Sequence, residues 1–240
     1  MFKIFSEIIK KPDFMFFFII NILFFYLIGS IPIGLLIGKI FKKKDLSLLG
    51  SKNIGSSNAT RILGFKYGLL IFFLDFFKGI ISIWLGSVFI EKYLEIQNIS
   101  PTKLRIEELR IYFGLSVILG HIFPLFHKFK GGKAVATSVA IISFINPFVG
   151  IIGILSFFVF LRLFGYASLA SLISILIVNF LLLICFYFNF LNYFFIQIEE
   201  IICIFILSII IFIKHSENIK KLLEGTENKF IFDSVKNNKK

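Results

Sequence analysis

Two cysteines, one tryptophan, five prolines and three histidines are all that 240 residues hold of these types, and only 14 acidic residues stand against 26 basic ones. Cys185 and Cys203 fall in separate apolar stretches, with no CxxC spacing and no histidine cluster, so neither a disulfide nor a zinc site is expected. Both read as packing residues, in the core or facing lipid. No metal constellation appears, and no metal or cofactor is expected. There is no GxSxG elbow and no cysteine beside a histidine, so no side-chain nucleophile has triad-like company. The opening MFKIFSEIIKKPDFMFFF carries acidic residues and lacks a small-residue cleavage site after its first apolar run. That run is expected to be a retained span, with the mature chain starting near Met1.

What the chain has in quantity is apolar sequence: 58% of residues are hydrophobic and the mean hydropathy is +0.92. Crossing the hydrocarbon layer takes about 20 apolar residues. Residues 14–40, 63–90, 166–190 and, a little short, 199–213 meet that requirement. Residues 111–126 are interrupted by Gly120, His121 and Pro124, and Asn146-Pro147 splits 134–163 into a short helix, 134–145, and a spanning one, 147–163. The expected fold is all-α: one polytopic membrane helix bundle over residues 1–240, with about seven transmembrane or half-membrane helices.

Lysine and arginine mark the cytoplasmic side of such a bundle. With the N-terminus outside and the C-terminus cytoplasmic, seventeen basic residues lie inside and seven outside. The inside set is Lys39, Lys42, Lys43, Lys44, Lys52, Arg61, Lys128, Lys130, Lys133, Arg162 and seven lysines from Lys214 onward. The outside set is Lys3, Lys10, Lys11, Lys92, Lys103, Arg105 and Arg110, while Lys66 and Lys78 lie within the second span. This orientation brings loops 41–61 and 127–133 and the tail 214–240 to one face. Because the basic excess borders membrane spans, the expected partners are membrane lipids and anionic small molecules, with no nucleic acid.

Four constellations carry chemistry. In GSKNIGSSNATRILG, residues 50–64, Ser51, Asn53, Ser56, Ser57, Asn58, Thr60 and Arg61 form a hydrogen-bonding loop that ends in a guanidinium suited to bidentate phosphate contact. A plain linker that caps the next helix would look similar. In KGGKAVAT, Gly131 and Gly132 permit close backbone approach, the helix they open presents free N–H groups, and Lys133 adds a point charge. A glycine-permitted turn is the alternative. In KHSENIKKLLEGTENKF, His215 and Asn218 share a helix face and Ile219, Leu222 and Leu223 suggest a short surface helix stopped at Gly225, against which stands a tail that only binds anionic lipid. In LDFFKG, Asp75 and Lys78 sit deep in the second span, where a structural ion pair joining two helices is expected and ion conduction is the sharper alternative. His121 in GHIFPLF reads as a hydrogen-bonded histidine at a helix break.

Taken in order, GSIPIGLLIGK (29–39), GSKNIGSSNATRILG, LDFFKG, GHIFPLFHKFKGGKAVAT (120–137) and ENIKKLLEGTENK (217–229) resemble the bacterial membrane acyl-phosphate:glycerol-3-phosphate acyltransferase family. Five motifs in sequence over roughly residues 25–230 make the resemblance specific. It implies transfer of a fatty acyl group from acyl phosphate to the sn-1 hydroxyl of glycerol-3-phosphate, yielding lysophosphatidic acid and phosphate. This is the first acylation of phospholipid synthesis in the bacterial cell membrane. It further implies that Ser51, Arg61, His215 and Asn218 serve catalysis and that Asn53, Asn58, Gly131, Gly132 and Lys133 bind substrate. Asp75, Lys78, His121 and Glu227 are then structural. A soluble enzyme that forms the acyl phosphate is the implied protein partner. The family usually has Gly where this chain has Lys52 and Ala134, Ala-Thr at Ser56-Ser57, and Arg at Lys214, Lys220 and Lys221.

An acyl phosphate is already activated, so the expected mechanism is direct attack in a ternary complex without an acyl-enzyme. The HxxxxD pair of acyl-CoA-dependent glycerolipid acyltransferases is absent. A small transporter of anionic metabolites is the rival from another class; it would be favoured by inverted internal repeats, and the sequence shows none.

Overall fold

The computed structural model describes residues 12–98, 106–188 and 196–230. Of the basic residues that set the expected orientation, Lys3, Lys10, Lys11, Lys103, Arg105, Lys236, Lys239 and Lys240 lie outside the described residues, as does the tail from 231. The described regular structure is all helical. In chain order the helices are α1 (Pro12–Gly29), α2 (Ile33–Lys42), α3 (Ser56–Leu63), α4 (Phe65–Ile96), α5 (Ile106–Ile122), α6 (Val135–Ile145), α7 (Pro147–Phe164), α8 (Ala167–Phe188), α9 (Ile198–Lys214) and α10 (Ser216–Leu223). A 3-10 turn, Leu125–His127, lies between α5 and α6.

The breaks follow local chemistry. Asn146 caps α7 by accepting from Val149 N–H at 3.0 Å, and Pro147 takes the first helical position, where its missing N–H costs nothing. The short helix and the span expected on either side of this dipeptide are both present. The stretch expected to span over 14–40 is long and apolar enough to do so as Pro12–Lys42, but its helix stops at Gly29 and resumes at Ile33, because Pro32 lacks an N–H and steers Ile31 away from helical geometry. Residues 56–63, expected as loop, form α3, which buries Ala59 and Leu63 against Leu46, Ile54 and Ile71 and ends at Gly64 with φ +99°. His121 sits in the last turn of α5; the break follows it, at Pro124.

Among the described residues, five stretches are long and apolar enough to cross a membrane: Pro12–Lys42, Phe65–Ile96, Leu109–His127, Pro147–Phe164 and Ala167–Phe188. Inside the bundle, α5 is the hub. Its inner face packs Phe113 and Val117 against Phe14, Phe18 and Phe25 of α1, and Ile118 and Ile122 against Ile83, Ile141 and Ile142. Cys185 and Cys203 are both free and buried in this core, beside Leu182 and Leu207, so they are packing residues of the interior. The crossing of α1 and α5 depends on two glycines. A Cβ on Gly29 would strike the Val117 carbonyl, and one on Gly120 would strike the carbonyl of Tyr26. Backbone cannot yield there as a side-chain tip would. Gly120→Val is therefore expected to push α1 off α5 and cost about 1–3 kcal/mol, read as a lower unfolding midpoint of the detergent-solubilised protein.

Candidate functional site

The segment between α2 and α3 is shaped by one side chain. Asn58 is 1% exposed, and its Nδ2 donates to the carbonyls of Asn53 (2.8 Å), Leu49 (3.0 Å) and Leu46 (3.3 Å), while its Oδ1 accepts the Ser51 N–H at 3.0 Å. Asn58, expected as a substrate ligand, is thus the post around which loop 46–53 winds, because its donors are already taken by the chain. Asn53 Oδ1 holds the Gly55 N–H at 3.1 Å. The Ser51 hydroxyl and Asn53 Nδ2 have no protein partner among the described residues, and both residues line the cavity described below.

The glycine pair allows a close backbone approach. The N–H of Gly132 donates to the His121 carbonyl at 3.1 Å and that of Gly131 to the Ile122 carbonyl at 3.2 Å, so neither amide is free for an anion. These glycines seat the loop on the end of α5, where a Cβ on Gly131 would collide with the His121 carbonyl. The open amides are those of the first turn of α6, whose first helical bond runs from Ser138 N–H to Ala134 C=O at 2.8 Å. Val135 and Ala136 of that turn line the cavity.

The third segment closes the site. Lys133 Nζ donates to Asn218 Oδ1, Asn218 Nδ2 donates to Glu227 Oε1 at 2.8 Å, and the Ser168 hydroxyl donates to the same oxygen at 3.0 Å. Arg61 reaches the Asn228 carbonyl at 3.4 Å, and the Phe230 N–H donates to the Gly165 carbonyl at 2.7 Å. All three motif segments therefore meet at the end of the bundle where α7 turns into α8. Glu227, expected to be structural, joins the three segments here, and its Oε2 and the Arg61 Nε are both buried without a hydrogen-bond partner.

Burial sets the charge states. It pushes Lys133 down to about 8, with Glu227 pulling upward and Arg61 pushing down. Arg61 is lowered by burial and supported by Glu227. His215 is driven down to about 4 by burial and by Lys133. It is therefore neutral near pH 7. Its Nδ1 faces the Ile211 carbonyl at 2.8 Å, which can only accept, so the proton is on Nδ1 and Nε2 carries a lone pair.

These groups rim one continuous cavity of ≈ 170 Å³. Ser51, Asn53, Arg61, Lys133, His215, Asn218 and Glu227 form its polar end, and Phe72, Ile142, Ile154, Phe157 and Val178 its apolar end between α4, α6, α7 and α8. Asp75 and His121 also reach its wall. The ion pair of Asp75 and Lys78, at 2.7 Å, lies within α4 rather than between two helices. The link to other helices comes from Lys78 Nζ contacting His121 Nδ1 at 3.0 Å and the Gly29 carbonyl at 3.3 Å. Missed from sequence were Ser168, Ser171 and Ser174, which line the cavity from α8 and repeat every three residues, a helical-face signal legible in ASLASLIS. Among the described residues no group of three or more His, Cys, Asp or Glu could hold a metal.

With this geometry in view, the comparisons with known proteins are informative. The profile of the glycerol-3-phosphate acyltransferase family matches residues 19–225. A glycerol-3-phosphate acyltransferase of Aster yellows witches'-broom phytoplasma is 45% identical, covering 93% of this chain and 99% of its own length. One from Staphylococcus aureus strain Newman is 37% identical, covering 88% and 96%. The crystal structure of PlsY (YgiH), an integral membrane glycerol 3-phosphate acyltransferase, in its glycerol 3-phosphate form superposes with a TM-score of 0.74 at 32% identity, over 89% of this chain and 96% of that one. The lysophosphatidic acid form gives 0.71 at 30% identity, over 90% and 96%.

Two of the departures from the usual family residues have a backbone consequence: Lys52 and Ala134 both adopt φ +58°, where glycine is unstrained and an L side chain is not. Lys52 is exposed, so replacing it changes little else. Lys52→Gly is expected to raise stability by about 0.5–1 kcal/mol, measured as a higher thermal midpoint with no loss of the site.

Proposed function

The chain belongs to the glycerol-3-phosphate acyltransferase family, and from that premise we propose how its cavity carries out the reaction. The enzyme transfers an acyl group from acyl phosphate to glycerol-3-phosphate, forming lysophosphatidic acid. In our reading the acceptor is the sn-1 hydroxyl, and its oxygen attacks the acyl carbonyl directly while the bond from that carbon to phosphate breaks. The observation that carries this is the convergence of Arg61, Lys133, His215 and Asn218 at the mouth of a single apolar cavity. Two phosphates repel one another, and a pocket that must hold both needs cationic groups and oriented amides that are in place beforehand. Arg61, Lys133 and the first turn of α6 supply them.

The acyl chain lies in the apolar end, against Phe72, Ile154 and Phe157. Ser51 and Asn53 offer a hydroxyl and an amide to the phosphates. His215 Nε2 accepts a hydrogen bond from the attacking hydroxyl and orients it. An imidazole with its value near 4 is too weak a base to keep the proton, which passes to a phosphate oxygen. The whole chain forms one membrane catalytic domain. Its seven spans or half-spans are the α1–α2 stretch, α4, α5, α6, α7, α8 and α9, with the N-terminus outside and the polar end of the cavity facing the cytoplasm. The basic residues around that end, Lys39 to Lys52, Lys128 to Lys133 and Arg162, support this orientation.

Two experiments test the reaction. Purified protein is offered radiolabelled glycerol-3-phosphate with acyl phosphate or acyl-CoA. Lysophosphatidic acid is expected from acyl phosphate alone, with Lys133→Ala lowering turnover roughly 10–100-fold; product from acyl-CoA alone, or from neither donor, overturns the proposal. The pH profile provides the second. Lys133 is charged below its value of about 8, so kcat/KM is expected to fall as pH rises through 8. Lys133→Arg, which stays protonated, should move that fall above pH 10; an unchanged alkaline limb would remove Lys133 from phosphate binding.

A further inference from the structure

His121 is buried, 7% exposed, and lies outside the set of residues that the proposed reaction uses. Its surroundings fix its protonation by geometry. An ammonium has three donors and no acceptor. Lys78 Nζ has three neighbours within donor range: Asp75 Oδ1 at 2.7 Å, His121 Nδ1 at 3.0 Å and the Gly29 carbonyl at 3.3 Å. Asp75 Oδ1 also lies 3.4 Å from His121 Nδ1, but Lys78 Nζ is nearer at 3.0 Å and an ammonium can only donate, so Nδ1 presents its lone pair to Lys78 and the ring proton resides on Nε2. That N–H has no protein acceptor among the described residues, while His121 lines the cavity.

Gly132 sits against the same atom. A Cβ at position 132 would fall on His121 Nε2, so glycine there keeps the face of Nε2 uncovered. Gly132 is followed directly by Lys133 and by the open amides of α6, the groups that hold phosphate. We propose that His121 Nε2–H is a further substrate-contacting donor of this enzyme, directed at a phosphoryl oxygen held by the 131–137 segment. Its tautomer is locked from behind by Lys78 and Asp75. The oxygen belongs either to glycerol-3-phosphate or to the acyl phosphate, which share this chemistry. On this view the buried ion pair is a positioning device for a neutral imidazole donor, which binds an anion with no second buried charge to solvate.

The inference rests on the reaction proposed above, and its test separates the two. His121→Asn keeps an oxygen where Nδ1 accepts from Lys78 but deletes the distal N–H; His121→Gln can keep a distal N–H. With wild-type activity established, His121→Asn is expected to raise KM at least 10-fold for the substrate whose phosphate is contacted, with KM for the other within about 3-fold. His121→Gln should stay within about 3-fold of wild type for both, and both variants should keep the wild-type thermal midpoint within a few degrees. Equal KM values for the two variants, or values of both near wild type, overturn the contact and leave the reaction standing. Wild-type protein with no product from either donor removes the reaction and the contact together. Should His121→Asn not fold, crystal structures of the wild-type protein with glycerol-3-phosphate and with a non-hydrolysable acyl phosphate analogue decide the matter. A phosphoryl oxygen within hydrogen-bond reach of Nε2 in either upholds the proposal, and its absence from both overturns it.

Discussion

An ammonium that cannot reach water dictates the layout of this protein. Lys78 is 7% exposed within a helix long enough to cross the membrane, and it persists there because a carboxylate, an imidazole and a main-chain carbonyl surround it. Those three acceptors come from α4 itself, from α5 and from the end of α1. Satisfying one charge therefore fixes where three helices stand. The break after Gly29 has a purpose in this arrangement: a helix that ends there frees a carbonyl for Lys78, which an uninterrupted helix would have engaged in its own ladder.

The polar end obeys a different constraint. Here Arg61 and Lys133 stand close together in a partly buried pocket, and each would lose its proton more readily without the other's compensating neighbour, Glu227. The carboxylate is held by Ser168 and Asn218 so that it supports both cations while binding neither tightly in place. On the proposed reading, an arriving phosphate meets cations that no carboxylate has already paired off. That balance explains why an acidic residue belongs in a site for two anions, an arrangement that simple charge complementarity would exclude.

Much of this was legible in the residues. Asn146-Pro147 announced its helix break, and the apolar runs 14–40, 63–90 and 166–190 fall on stretches long enough to cross a membrane, because both signals are local. The gathering of Arg61, Lys133, His215 and Asn218 followed from motif order. What the sequence concealed were decisions made by partners distant in the chain. Nothing local distinguishes Asn58 as the organiser of its loop from Asn53 beside it; the three carbonyls that engage Asn58 are assembled only by the fold. That the amides of Gly131 and Gly132 are engaged was not legible either, because their acceptors lie in the preceding helix. Pro32 was a local signal, but it was outweighed by the hydrophobic length around it. His121, Asp75 and Lys78 stood as separate features until α4 and α5 packed together.

Chain order gives the position of Glu227 one more meaning. Residues 224–230 follow the ten described helices, yet they supply a wall of the cavity and its balancing carboxylate. During synthesis the earlier helices enter the bilayer while Arg61 and Lys133 still lack that neighbour. Until residues 224–230 have been made, neither cation has the internal carboxylate that offsets its burial. Docking of that strap, through the Phe230 N–H on Gly165 and Glu227 on Ser168, supplies the charge from within, so the site is balanced only when the last described residues are in place.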